Sequence, residues 1–195
     1  MTWMILGLII FLGIHSLCIF APAWRDAQKA RMGEWPWKGL YSVVAIAGLA
    51  LAIWGFGEMR QNPIWIWHPP LGLQHAVSLF MLPAFVFLVA AYWPRNHIRA
   101  RLGHPMLLAT KLWAFSHLLV NGRLGDMIFF GAFLVWAIAL FAVLRRRDRA
   151  AGVQPVPGTA VGTTASVILG VLLWYLFAMH LHVLITGVPA IRMGG

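Results

Sequence analysis

Apolar residues in this chain fall into six long runs separated by short polar or proline-rich breaks. The runs are Trp3–Phe20, Gly39–Glu58, Gln74–Trp93, Pro105–Val120, Asp126–Leu144 and Thr164–Thr186. A hydrocarbon core about 30 Å thick is crossed by roughly 20 helical residues, so each run reads as a membrane helix, with Pro105–Val120 the shortest. Inside lipid the backbone must satisfy its own hydrogen bonds, which selects helices for runs of this kind. Gly33-Glu34-Trp35-Pro36 predicts a turn before the second run, and Pro69-Pro70 cannot continue a helix. Gln154–Gly158 adds two prolines and a glycine to the longest connection, a flexible loop. No internal repeat is evident and no connection is long enough to hold a soluble domain. The expected fold is all-α: one domain over residues 1–195, a polytopic bundle of about six transmembrane helices.

Charge orients the bundle. Arg25, Lys29, Arg31 and Lys38 lie between the first and second runs. Arg95, Arg99 and Arg101 lie between the third and fourth, and Arg145, Arg146, Arg147 and Arg149 between the fifth and sixth. The other side carries Arg60, Arg123 and Arg192, while Lys111 falls within the fourth run. Short loops rich in Lys and Arg stay cytoplasmic, so both termini are expected outside, in a multi-pass protein of the cell inner membrane. The first cation, Arg25, follows the first run, so the opening segment lacks the basic start of a cleaved signal and is expected to remain as a span. The net charge of +10 is dispersed in these clusters rather than gathered on one face, which argues against nucleic acid and for membrane lipid as the first partner. Trp35, Trp37, Trp65, Trp67 and Trp93 sit at run ends, where belt residues are expected.

The candidate chemistry is imidazole. The chain has eight histidines but five acidic residues and one cysteine, Cys18. A polar ring at membrane depth is costly and marks a pathway, a relay or a ligand more often than chance. His15 interrupts the first run between Phe11 and Ile19. His117 interrupts the fourth and shares a face with Trp113 and Asn121, the latter a candidate to orient the ring. For either, an imidazole that merely bonds a neighbouring helix is the plain alternative. Lys111 lies one heptad after His104 on another stripe, placed to snorkel or to meet an anionic head group or a propionate. His180 and His182, two apart, cannot both face one metal. His104 suits a helix N-terminus, His68 and His97 suit interfaces, and His75 is a reserve ligand. Nitrogen donors in an apolar bundle suggest haem iron, and one cysteine cannot make a C-x-x-C-H attachment, so any haem would be non-covalent haem b. Glu58 and Asp126, at run ends, are expected to form solvated pairs with Arg60 and Arg123. Nucleotide-binding glycine motifs, serine-hydrolase elbows and paired intramembrane carboxylates are absent from the sequence.

Five strings resemble the NnrU family of membrane proteins, which includes the zeta-carotene isomerases. They are F-L-G-I-H-S at Phe11–Ser16, W-K-G-L-Y-S at Trp37–Ser42, H-P-M-L at His104–Leu107, K-L-W-A-F-S-H-L-L-V-N-G at Lys111–Gly122, and H-V-L-I-T-G-V-P at His182–Pro189. The resemblance implies a role in denitrification and nitric oxide metabolism. In the isomerase branch it implies haem b with two axial histidines, which carry over to His15 and His117, here between the first and fourth helices. That branch also implies a cysteine near the second histidine, where this chain has Ala114. Trp113, Asn121 and Lys111 complete the candidate cofactor-binding set.

Two other functions remain open at this level. One is a haem-dependent cis–trans isomerase acting on a hydrophobic small molecule such as a polyene. The other is a non-haem accessory protein in which the histidines only pack helices. An electron-transfer partner is expected if the haem cycles.

Overall fold

The computed structural model describes residues 1–70 and 72–190, so Arg192 lies outside the described residues. Helices α1 (Thr2–Phe20), α3 (Glu34–Gln61), α4 (Leu73–Tyr92), α6 (Pro105–Val120) and α7 (Leu124–Ala150) carry five of the apolar runs. The sixth is a continuous helical stretch made of α8 (Ala160–Leu176), a π-helical turn (Phe177–Leu181) and α9 (His182–Thr186). Five of these are long and apolar enough to cross a membrane, and α6, at 16 residues, is a shorter apolar helix. Large apolar side chains such as Ile46, Leu79, Val135 and Leu184 are exposed on the outside, where lipid would cover them. The chain is a multi-pass membrane protein.

Two short helices lie between the runs. Pro22 starts α2 (Pro22–Met32), where a fixed φ and missing N–H are tolerated. Asn96 caps α5 (His97–Leu102), its side chain accepting from the Arg99 N–H. The turn expected over Gly33–Pro36 is shorter than that. Gly33 alone breaks the chain, at φ +86°, and Pro36 falls in the first turn of α3, where its ring displaces no hydrogen bond.

Neighbouring helices pack in the order α3, α1, α7, α6, α4, α8. The tightest seam joins α1 to α3. A side-chain carbon at Gly7 would collide with the Ala52 backbone and one at Gly55 with the Met4 backbone, so glycine is what lets these helices touch. Gly13, on the same helix as Gly7, has open space around it. Gly55→Leu is therefore expected to destabilise the protein by about 3 kcal/mol, because the obstacle is backbone and no rotamer change relieves it. Gly57→Leu, with open space at that position, is the control. Thermal unfolding of both variants in detergent checks the difference.

The loops sort to two ends of the bundle. At the cation-rich end, Asn96 pairs with Thr159, and Arg147 donates to the Cys18 carbonyl. At the other end, Trp65 pairs with Arg123. There Ile66 N–H and Leu124 N–H bond Gly122 and Ile64 carbonyls, each at 2.8 Å, so residues 62–70 strap the α6–α7 turn.

Candidate functional site

Three histidines inside or beside the spans share one arrangement. His15 Nδ1 lies 2.7 Å from the Phe11 carbonyl, His117 Nδ1 lies 2.7 Å from the Trp113 carbonyl, and His182 Nδ1 lies 2.7 Å from the Val188 carbonyl. A carbonyl only accepts, so in each ring Nδ1 carries the proton and Nε2 keeps its lone pair. This is the outer-shell arrangement that metal-binding imidazoles use.

The rings occupy different levels. His15 stands among Phe11, Tyr41 and Trp136, with ring centroids 4.4, 5.2 and 6.1 Å away. His117 stacks on Phe130 at 4.5 Å and lies 5.4 Å from Trp113. Phe130 and Trp136 are six residues apart on α7, about 9 Å along its axis. The structure thus places His15 and His117 at separate heights, with Phe11, Phe133 and Trp113 in contact between them. It brings His117 instead to His182, whose ring centroid is 6.5 Å away at an interplanar angle of 31°.

The other predicted site residues have definite places. Trp113 provides both the carbonyl that fixes His117 and a ring beside it. Asn121 caps α6 and donates from Nδ2 to the His117 carbonyl at 2.9 Å, so it fixes that residue's backbone rather than its ring. Lys111 points its ammonium at the Phe141 ring, 3.8 Å from the centroid, away from His117. His104 occupies the N-cap position of α6, as its place before Pro105 suggests, but its side chain makes no capping bond. It instead reaches across to α7, with Nε2 2.8 Å from Asp148 Oδ2. Asp126 is buried at the start of α7 rather than in a solvated pair. Among the described residues the ion pairs are Arg25–Asp26, Lys38–Glu34 and His104–Asp148. Trp37, expected in the interfacial belt, is buried between Trp24 and Tyr41.

Two regions carry an imidazole with a free Nε2, and one of them borders a cavity. Beside His15 lies a cavity of about 340 Å³, walled by Trp37 and Tyr41 and rimmed by Arg25, Lys29 and Lys38. At the opposite end, around His117 and His182, Arg60 donates to the Thr186 carbonyl and Arg123 stacks over Trp65. Haem needs nitrogen donors, apolar walls and cations for its propionates, and residues of each kind are present at both. Ala114 is fully buried and leaves no thiol near His117, while Cys18 donates to the His15 carbonyl at 3.4 Å.

Comparison with protein-family models matches residues 3–190 to a family described as NnrU protein. The chain belongs to the NnrU family. The match runs from the first span through the last, so all three histidines fall within it. Comparison with curated proteins and with solved structures gives no match. His182, which the sequence reading of this NnrU protein places below His15 and His117, is the histidine whose ring lies beside that of His117. Its signal was the H-V-L-I-T-G-V-P string, since Gly187 and Val188 complete the turn that holds its ring.

Proposed function

We propose that this NnrU protein binds one haem b in the membrane and serves redox or nitric oxide chemistry of the kind associated with denitrification. The observation that carries the reading is the bonding of His117 and His15. Each holds its Nδ1 proton on the carbonyl one helical turn earlier and leaves Nε2 free, His117 among aromatic rings and His15 beside the cation-rimmed cavity. Helix-packing histidines would turn a nitrogen toward a neighbouring helix. These two spend their only N–H on their own helix.

The reading places the haem on His117; the family resemblance, taken alone, implies His15 as its second donor. At their present heights one iron cannot reach both, so shared ligation would require α1 and α6 to slide. Trp113 and Phe130 fix the His117 ring, and Asn121 holds its backbone at the helix end. Arg60 and Arg123 at one end, or Arg25, Lys29 and Lys38 at the other, would neutralise propionates. When bound, haem would supply one-electron redox chemistry, with His117 as the residue that would hold it.

Titrating detergent-solubilised apoprotein with hemin tests the proposal. A Soret change that saturates at about one equivalent and is competed by free imidazole is the expected result. A linear rise without saturation, as for hemin dissolving in micelles, would overturn it.

A further inference from the structure

We infer that His182, rather than His15, is the axial partner of His117. The inference rests on the haem reading above and names the second donor within it. An imidazole–metal bond is about 2 Å long, so two rings on opposite sides of one ion have centroids about 6 Å apart. The observed separation of His117 and His182 is 6.5 Å, with the rings 31° from parallel. Both rings hold the tautomer that leaves Nε2 free.

The chain around His182 is shaped to hold that ring. The His182 N–H bonds the Phe177 carbonyl, five residues back, which makes Phe177–Leu181 a π-turn. Such a turn carries one extra residue and rotates everything after it by about 100°, and π-turns are found often at functional sites. Four residues later the helix ends at Gly187, whose φ of +71° turns the chain back. That reversal delivers the Val188 carbonyl to His182 Nδ1, and Thr186 Oγ1 lies 3.3 Å from the same nitrogen. Thr186 Oγ1 also accepts from the Val188 N–H at 3.2 Å, closing the turn around the ring. Arg60 anchors the turn from α3 through the Thr186 carbonyl.

Among the described residues His15 has no comparable partner. Its ring meets Phe11, Tyr41 and Trp136, and its free nitrogen belongs to the level of the cation-rimmed cavity. His180 precedes His182 by two positions and points to another side of the helix, so it does not compete for the same ion.

The test compares hemin-loaded wild type, His182→Ala and His15→Ala by electron paramagnetic resonance and absorbance of the ferric protein. A bis-histidine iron is low-spin, and loss of one histidine makes it high-spin. His182→Ala is expected to turn high-spin and to return to low-spin when imidazole is added, which also shows that the haem seat is still folded. His15→Ala is expected to stay low-spin. A low-spin His182→Ala protein, or a high-spin His15→Ala protein, would overturn the inference while leaving haem binding intact. A wild type that takes up no hemin would overturn both readings.

Discussion

Replacing His117 with alanine is expected to reduce haem occupancy by about tenfold or more, since even outer-shell changes at metal sites cost 10–100-fold. On the proposed haem reading, two neighbours make His117 the donor that would matter most. Its ring is clamped against Phe130 at 4.5 Å, and its tautomer is fixed by the Trp113 carbonyl at 2.7 Å. A ring so placed binds without further loss of side-chain freedom. The fold itself should survive. The substitution removes a partly buried ring from an aromatic cluster that keeps Trp113, Phe129, Phe130 and Phe133 in mutual contact. The expected cost is about 1–3 kcal/mol, typical of a single substitution in a packed region. Haem content per chain, measured beside the unfolding temperature, separates the two effects. Unchanged haem content in folded His117→Ala protein would remove this residue from the site.

Asn96→Ala should give the largest loss of stability of any polar substitution considered. Asn96 is 1% exposed. Its Nδ2 donates to the Ala90 carbonyl at 2.9 Å and to the Trp93 carbonyl at 2.7 Å, and its Oδ1 accepts from the Arg99 N–H at 2.7 Å. One side chain thus joins the end of α4 to the start of α5. The loop before α8 docks on the same corner, through the Thr159 N–H on the Arg95 carbonyl at 2.7 Å and the His97 N–H on Thr163 Oγ1 at 3.0 Å. Losing the cap costs about 1 kcal/mol, and each stranded buried group about 1–3 kcal/mol more. The expected total of about 3–7 kcal/mol corresponds to a fall of about 10–20 °C in unfolding temperature for a chain of this size. Asn96→Asp distinguishes the parts. Aspartate caps a helix as well as asparagine but cannot donate to the two carbonyls, so it should be nearly as damaging as alanine. A mild Asn96→Asp variant would mean that the cap alone matters.

The helices were legible because lipid imposes a single rule. Every span must be long, apolar and internally hydrogen-bonded, and the run Trp3–Phe20 becomes α1 (Thr2–Phe20) almost residue for residue. The ends were less legible, since polar helical turns continue past the apolar runs. Glu34–Lys38 is helix although it contains Pro36, and Arg145–Ala150 extends α7 by a basic turn. The short helices α2 and α5 carry no apolar run at all, and only Pro22 and Asn96 mark their starts.

The site was half legible. His15 and His117 announce themselves by depth, and both take the ligand-ready tautomer. Their different heights are legible as well, because the cation count that puts both termini outside sets His15 in the cytoplasmic half of its span and His117 toward the outer end of its own. His182 was ranked low by a correct argument, that residues two apart cannot share a metal, which eliminates one of the pair without saying which. The inference for His182 rests on the π-turn, a backbone feature without a residue signature, together with a left-handed Gly187 that any helix end can carry. His104 is legible in place but not in contact. Its position before Pro105 fits the N-cap, yet Asp148, distant in sequence, takes its side chain.

The most direct test of haem binding is a pyridine haemochrome assay, with oxidised and dithionite-reduced spectra, on protein purified from cells supplied with haem precursor. If His117 seats an iron porphyrin, the protein will carry close to one b-type haem per chain, with sharp α and β bands on reduction. Colourless, folded protein from such cells would contradict haem binding and leave the histidines as helix-packing groups.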